Sequence, residues 1–186
     1  MHITDLSPTD AAAIEQAAAL LTAGFRENWP GSWSDRESAL EEVSEMLDPE
    51  RICRVARADD GRVLGWIGGI PEYDGRVWEL HPLVVDPQFQ GRGLGRALVA
   101  DLEQQVRLRG GLTISLGTDD VNNMTSLGGV DLYPNVWEHL AAIRNLRRHP
   151  YEFYQKCGFV IVGVMPDANG PGKPDIMMAK RVQSQA

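Results

Sequence analysis

The sequence predicts a single α+β domain in which helices flank a mixed sheet. Hairpin signals come early, a strand–loop–helix–strand unit occupies the middle, and no repeat or Pro/Gly/Ser linker divides the chain. At roughly 150 residues per domain the length is about one domain. It is assigned to residues 1–182, with a short tail at 183–186.

Ser7-Pro8-Thr9-Asp10 opens a first helix, with Ser7 as N-cap, Pro8 at the first helical position and Asp10 closing a capping box. Ile14, Ala18, Leu21 and Phe25 recur on one face of it. Ser34-Asp35-Arg36-Glu37 starts a second helix in the same manner, with Leu40, Val43 and Leu47 as its stripe. The loop between them carries Trp29, Pro30 and Trp33. Residues 51–58 (RICRVARA) and 62–70 (RVLGWIGGI) flank Asp59-Asp60-Gly61, a hairpin signature. A third strand covers 76–85 (RVWELHPLVV), after the turn-rich PEYDG. A glycine-rich loop then enters a helix with Leu98, Val99, Leu102 and Val106 inward, ending at Gly110-Gly111. LTISLG (112–117) is a strand, 119–149 is irregular or partly helical, and 150–157 is helical. Strands near 159–165 and 175–181 follow.

Composition narrows the function. A net charge of −8 and a pI near 5.0 argue against nucleic acid or an anionic membrane as partner, since both require clustered Lys/Arg. The same acidity either keeps the chain soluble or lines a cleft for a cationic small molecule. No uncharged apolar run approaches the ~18 residues of a spanning helix. The first residues, MHITDLSPTDAA, lack the basic and apolar segments of a signal peptide. Cys53 and Cys157 stand apart, without zinc-ligand or disulfide spacing. A reduced, cytoplasmic protein without a metal is the expectation.

The strongest chemical signal is Gln90-Gly91-Arg92-Gly93-Leu94-Gly95-Arg96. Three glycines at alternate positions let the backbone turn tightly, and the helix start adds unpaired N–H donors, which together form an anion site. Arg92 and Arg96 supply charge complementary to phosphates. A dinucleotide fingerprint needs glycine where Arg96 stands, and no Gly-Lys-Ser/Thr follows to complete a Walker loop. Glu79 and His81 lie two apart on their strand and share one face, and Pro82 marks a bulge or splayed edge beside them. That polar pair is a candidate for proton transfer, or simply for a solvated strand face.

The loop reads Gln-x-x-Gly-x-Gly and the late helix ends Phe153-Tyr154-Gln155-Lys156-Cys157-Gly158-Phe159. In this order, separated by one strand, the two resemble the GCN5-related N-acetyltransferases. WELHPLVV, SLGTDD, NLRRHPYEFYQKCGF and VGVMPDANGPGKPDIMMAK look like the aminoglycoside 6′-N-acetyltransferase subclass, and the likeness covers essentially the whole chain. The resemblance implies a mostly antiparallel sheet splayed at its central strands. It also implies acetyl-CoA as co-substrate, the 6′-amine of an aminoglycoside as acceptor, antibiotic modification, and a homodimer.

By that resemblance the pyrophosphate rests on residues 90–96, and pantetheine pairs with the backbone of Leu83, Val84 and Val85. Glu79 accepts the amine proton, through water, and orients the cation, while His81 shares that task or holds Glu79. Tyr154 protonates the leaving thiolate. Asp119 is the first choice for holding substrate ammonium groups, with Asp120, Glu72, Asp74 and Asp175 as further candidates. Trp29 and Trp33 wall the pocket or form local core. Acetyl transfer to a polyamine, peptide amine or protein lysine is the neighbouring possibility, and a non-catalytic CoA-binding module the more distant one.

Overall fold

The structure, a computed structural model, describes residues 1–27, 29 and 31–182; Pro30 and the expected tail at 183–186 lie outside the described residues. Two compact units are present, Met1–Ile114 with Val182, and Ser115–Arg181.

In the first unit β1 (His2–Asp5), β2 (Ile52–Arg57), β3 (Val63–Glu72) and β4 (Val77–Val85) lie side by side in that order. Each neighbouring pair is antiparallel. The hairpin forms at Gly61, whose φ of +86° suits a residue without Cβ. The sequence reading contained no strand at β1. Its residues have no apolar alternation, and pairing with β2, from His2 opposite Arg57 to Asp5 opposite Arg54, is what makes it a strand.

Helices α1 (Ala11–Phe25) and α2 (Arg36–Met46) pack together on one face of these strands. Both N-caps differ from expectation. Asp10, not Ser7, caps α1 by accepting from the Ala13 N–H at 3.0 Å, and Asp35, not Ser34, caps α2 by accepting from Ser38 at 2.9 Å. Ser7 instead turns the chain locally, its hydroxyl taking the Thr9 N–H. Asp10 also pairs with Arg57 at 2.8 Å, a long-range contact that local spacing does not contain. The shared core holds Ala13, Ala17, Leu21, Ala39, Val43, Met46, Val55 and Trp66. Full burial of each large apolar side chain contributes about 1.5–3 kcal/mol. Small alanines bring α1 close enough for the Trp66 indole to donate to the Ala17 carbonyl at 3.1 Å.

Helix α3 (Leu94–Leu108) covers the opposite face. Strand alternation demonstrates it: Val55 and Trp66 point into the α1/α2 core, while the adjacent Arg54 reaches Asp101 of α3 at 2.7 Å. Leu98, Val99, Leu102 and Val106 are buried as expected. The helix ends in a Schellman motif, Gly110 donating to Arg107 and Gly111 to Val106.

Strand β5 (Thr113–Asp119) leads into the second unit, where the strand order is β5, β7 (Asp175–Arg181), β6 (Val160–Met165), with β6 and β7 antiparallel. The irregular stretch holds one short helix, α4 (Val136–Ala141), and α5 (Tyr151–Lys156) follows it. Among the described residues no helix is long and apolar enough to cross a membrane.

Candidate active site

The bulge expected at Pro82 is present. Gly69 pairs with Leu80 and Ile67 with Leu83, so Gly68 alone faces His81 and Pro82. Glycine is required there, because a Cβ would collide with the His81 carbonyl and the Met46 methyl. The extra residue switches the side-chain parity of β4. Beyond the bulge, Val84 lies on the α1/α2 side, buried opposite Trp66. Before it, that side carries Glu79, opposite Ile70, and His81, both half-buried. The polar pair therefore occupies a stretch of the face that the helices only partly cover.

A residue absent from the sequence reading joins His81 here. Glu42 of α2 places Oε1 3.5 Å from His81 Nε2, and the Trp33 indole donates to Oε2 at 3.2 Å. Burial alone would favour a neutral Glu42, but its hydrogen bonds and charge partners override this and hold the carboxyl below its usual range. Burial likewise opposes a charged His81, yet Glu42, with a smaller contribution from Glu79, raises the imidazole above its ordinary value. Phe25 meets Trp33 edge-on at 4.6 Å and Trp29 at 5.8 Å, an aromatic group beside the polar one. The signal that could have revealed Glu42 is its spacing. It lies three residues after buried Ala39 and four before buried Met46, on the inward flank of α2.

Past the end of β4 the chain turns through Pro87–Phe89 into the glycine loop. Gly91 and Gly93 have φ of +74° and +86°, and a Cβ on either would enter open space rather than protein. Gly93 caps α3 without a side-chain hydrogen bond, which leaves the first N–H groups of the helix for an incoming anion. Gln90 folds back to donate to the Val85 carbonyl at 3.2 Å. Arg92 and Arg62 both lie over the Phe89 ring, at 5.2 and 5.1 Å, so two guanidiniums stand near the loop. This cradle fits a phosphate-bearing ligand. Glu72 and Asp74 are exposed at the far end of the β3–β4 connection.

In the second unit the tyrosine motif has a backbone explanation. Phe159 N–H bonds to the Tyr154 carbonyl at 3.0 Å and Gly158 N–H to Gln155 at 2.9 Å, the paired bonds of a Schellman helix end. Gly158 supplies the required left-handed residue, φ +91°. Phe159 packs on the Tyr154 ring at 5.7 Å, and Phe153 meets it at 5.1 Å. Burial pushes the Tyr154 phenol well above its ordinary range, so it stays protonated at neutral pH.

Asp119 ends β5 and its carboxylate accepts from Asn169 at 2.5 Å. Asp120 is fully buried and its oxygens take the Met124 N–H at 2.6 Å and the Thr125 N–H and hydroxyl at 2.8 and 2.7 Å. Its carboxylate is thus committed to organising the irregular stretch after β5. Buried His149 supports the same segment. Its Nε2 donates to the Asp119 carbonyl at 3.1 Å and its Nδ1 accepts from the Tyr151 N–H at 3.2 Å. Asp175 lies beside Gly117, where a Cβ would strike its carboxylate. Burial pushes the Cys53 thiol up to about 12, which disqualifies it as a nucleophile. Among the described residues no three His, Cys, Asp or Glu side chains gather as a metal site.

A glycine cradle at a helix start, following a strand that bears paired ionisable side chains, defines an anion-binding site beside groups able to move a proton. Residues 15–128 match the acetyltransferase (GNAT) family, and the chain belongs to that family. It is similar to a solved aminoglycoside 6′-N-acetyltransferase complexed with coenzyme A, at 45% identity and a TM-score of 0.90, over 100% of this chain and 99% of that one. The aminoglycoside 6′-N-acetyltransferase from Enterococcus faecium is also similar, at 45% identity and a TM-score of 0.88, with the same coverage. A mycothiol acetyltransferase from Stackebrandtia nassauensis is 35% identical over 94 residues, 50% of this chain; the match spans 31% of that protein's length.

Proposed function

We propose that the protein transfers acetyl from acetyl-CoA to the 6′-amine of aminoglycosides, by direct attack in a ternary complex, with residues 1–182 acting as one catalytic domain. The observation that carries acetyl transfer is the run of β4 into a glycine-lined helix start without a side-chain cap, with Glu79 and His81 on a partly covered face of the same strand. The choice of acceptor is supported by the full-length likeness to the solved aminoglycoside enzymes.

In this reading residues 90–96 hold the pyrophosphate of acetyl-CoA, and the backbone of Leu83, Val84 and Val85 holds its pantetheine arm. The acceptor amine, with a pKa of ~10, is about one part in a thousand neutral at pH 7. Glu79 takes its proton, through a water, and His81 assists. Tyr154, kept protonated by burial, supplies a proton to the departing thiolate. Trp29, Glu72, Asp119 and Asp175 hold the remaining ammonium groups. Exposed Tyr133, Trp137, Val160, Val162 and Met177 support homodimer formation. The net charge of −8 supports a protein that binds neither nucleic acid nor an anionic membrane surface.

Thiol release with acetyl-CoA, measured across aminoglycosides, polyamines and lysine peptides, tests the proposal. Drugs with a 6′-amine are expected to turn over and their 6′-hydroxyl counterparts not, and added salt should raise KM for these polycations. Equal turnover of a 6′-hydroxyl drug would overturn the regiochemistry. Turnover of polyamines or peptides alone would overturn the acceptor.

A further inference from the structure

α2 carries several acidic residues, and they are used differently. Glu41 is exposed and Glu45 pairs at the surface with Arg51, whereas the Glu42 side chain is only 16% exposed. A carboxylate so placed forfeits much of its hydration, which is tolerable only if both oxygens are engaged. Both are, and by two rings on separate segments: the His81 imidazole on β4 and the Trp33 indole in the loop before α2. The two rings stand 5.7 Å apart, tilted by 49°. Trp33 has a left-handed backbone, φ +48°, an unfavourable conformation for a bulky residue. The Glu42 hydrogen bond and the edge of Phe25 hold it there.

We propose that Glu42 is a positioning residue of the acceptor site, fixing His81 as the Nε2–H tautomer and pinning Trp33 into the same wall. A carboxylate only accepts, so its approach to 3.5 Å favours a proton on the imidazole nitrogen facing it in either charge state. Nδ1 is then the atom that titrates. Above the His81 pKa it offers the acceptor site a lone pair. Below that pKa the ring is a cation that repels a polycationic substrate. The other charged groups acting on His81 are Glu79, on its own strand, which favours the cation, and Arg51, after α2, which disfavours it. The inference rests on reading this face as the acceptor side of the acetyltransferase.

The test combines ring ¹⁵N spectra of His81 with steady-state kinetics on whichever amine the wild type acetylates, for Glu42→Gln, Glu42→Asp and Trp33→Phe. In wild type the Nε2–H tautomer should dominate. In Glu42→Gln the titration midpoint should fall, both tautomers should appear, and kcat/KM should drop about 10-fold, the lower end of what removing the hydrogen-bond partner of a metal-bound imidazole costs. Its acid limb should move to lower pH with the midpoint. Glu42→Asp should restore tautomer and midpoint in part. Trp33→Phe should raise KM while leaving the Nε2–H tautomer of His81 dominant. Acetyl-CoA affinity, by calorimetry, should be wild type in all three and reports folding. An unchanged tautomer and midpoint in Glu42→Gln would overturn the proposal, as would an altered spectrum with unaltered kcat/KM. Failure of every aminoglycoside as substrate would instead overturn the proposed acceptor, and the spectra would still decide whether Glu42 positions His81.

Discussion

Two buried or half-buried imidazoles divide the molecule's labour. His81 faces a carboxylate and is driven toward the charged form; His149 is buried among backbone groups and driven toward the neutral one. Asp119 and Asp120 lie near His149 too, yet their influence is outweighed by burial, because neither carboxylate bonds the ring. Direct contact with an anion, not the presence of acid nearby, sets the direction of each histidine's shift. The first region is therefore equipped for proton chemistry, whereas in the second Asp120 and His149 are turned inward and hold the backbone of the segment after β5.

The largest expected effect is on stability. His149→Ala leaves the Asp119 carbonyl and Tyr151 N–H without their ring partner and opens a cavity, a loss of about 2–4 kcal/mol in urea unfolding. His81→Ala, at a half-exposed position, should lose less than about 1 kcal/mol. Equal losses would erase the division between the two regions.

Tyr154 sharpens the contrast, since it lies in the second unit and is assigned chemistry. Tyr154→Phe keeps the ring contacts and the backbone bonds of the helix end, so folding and CoA affinity should persist. Turnover should fall about 10²-fold where chemistry limits the rate. Wild-type rates across the pH range in this mutant would remove the phenol from the mechanism.

The smallest effect is in the pH dependence of stability. The folded pKa of His149 is lowered, so its contribution is present above the ordinary value of about 6.5 and is lost as pH falls through the folded value. For His81 the folded pKa is raised. Its contribution is complete below about 6.5 and is lost as pH rises through the folded value. Urea midpoints measured from about pH 5 to 8 should lose acid sensitivity in His149→Asn and lose the alkaline decline in His81→Asn. The same slope change in both variants would contradict the opposite shifts.

Features set by local backbone geometry were legible. Gly91 and Gly93 announced an anion cradle, Gly61 a hairpin, and Gly158 the helix end that presents Tyr154, because positive φ is a requirement that glycine meets. Pro82 announced its bulge for the same kind of reason. Less legible were features that depend on what arrives from elsewhere in the chain. Ser7 read as the N-cap of α1 and Asp10 as the far end of its capping box, whereas Asp10 is itself the cap and also meets Arg57 from β2. β1 had no pattern of its own and exists through its pairing with β2. Asp120 read as a substrate ligand until the Met124–Thr125 turn closed over it.

By itself the sequence determined the α+β class, the glycine loop before α3, the tyrosine helix end and the shared face of Glu79 and His81, all consequences of φ/ψ preference and short-range periodicity. Tertiary structure alone decided that Glu42 meets His81 and Trp33, that His149 meets backbone, and that Asp120 is buried. The physical reason is that hydration and Coulomb interactions depend on distance in space. A side chain's charge state is set by partners that only the folded chain brings within a few ångströms.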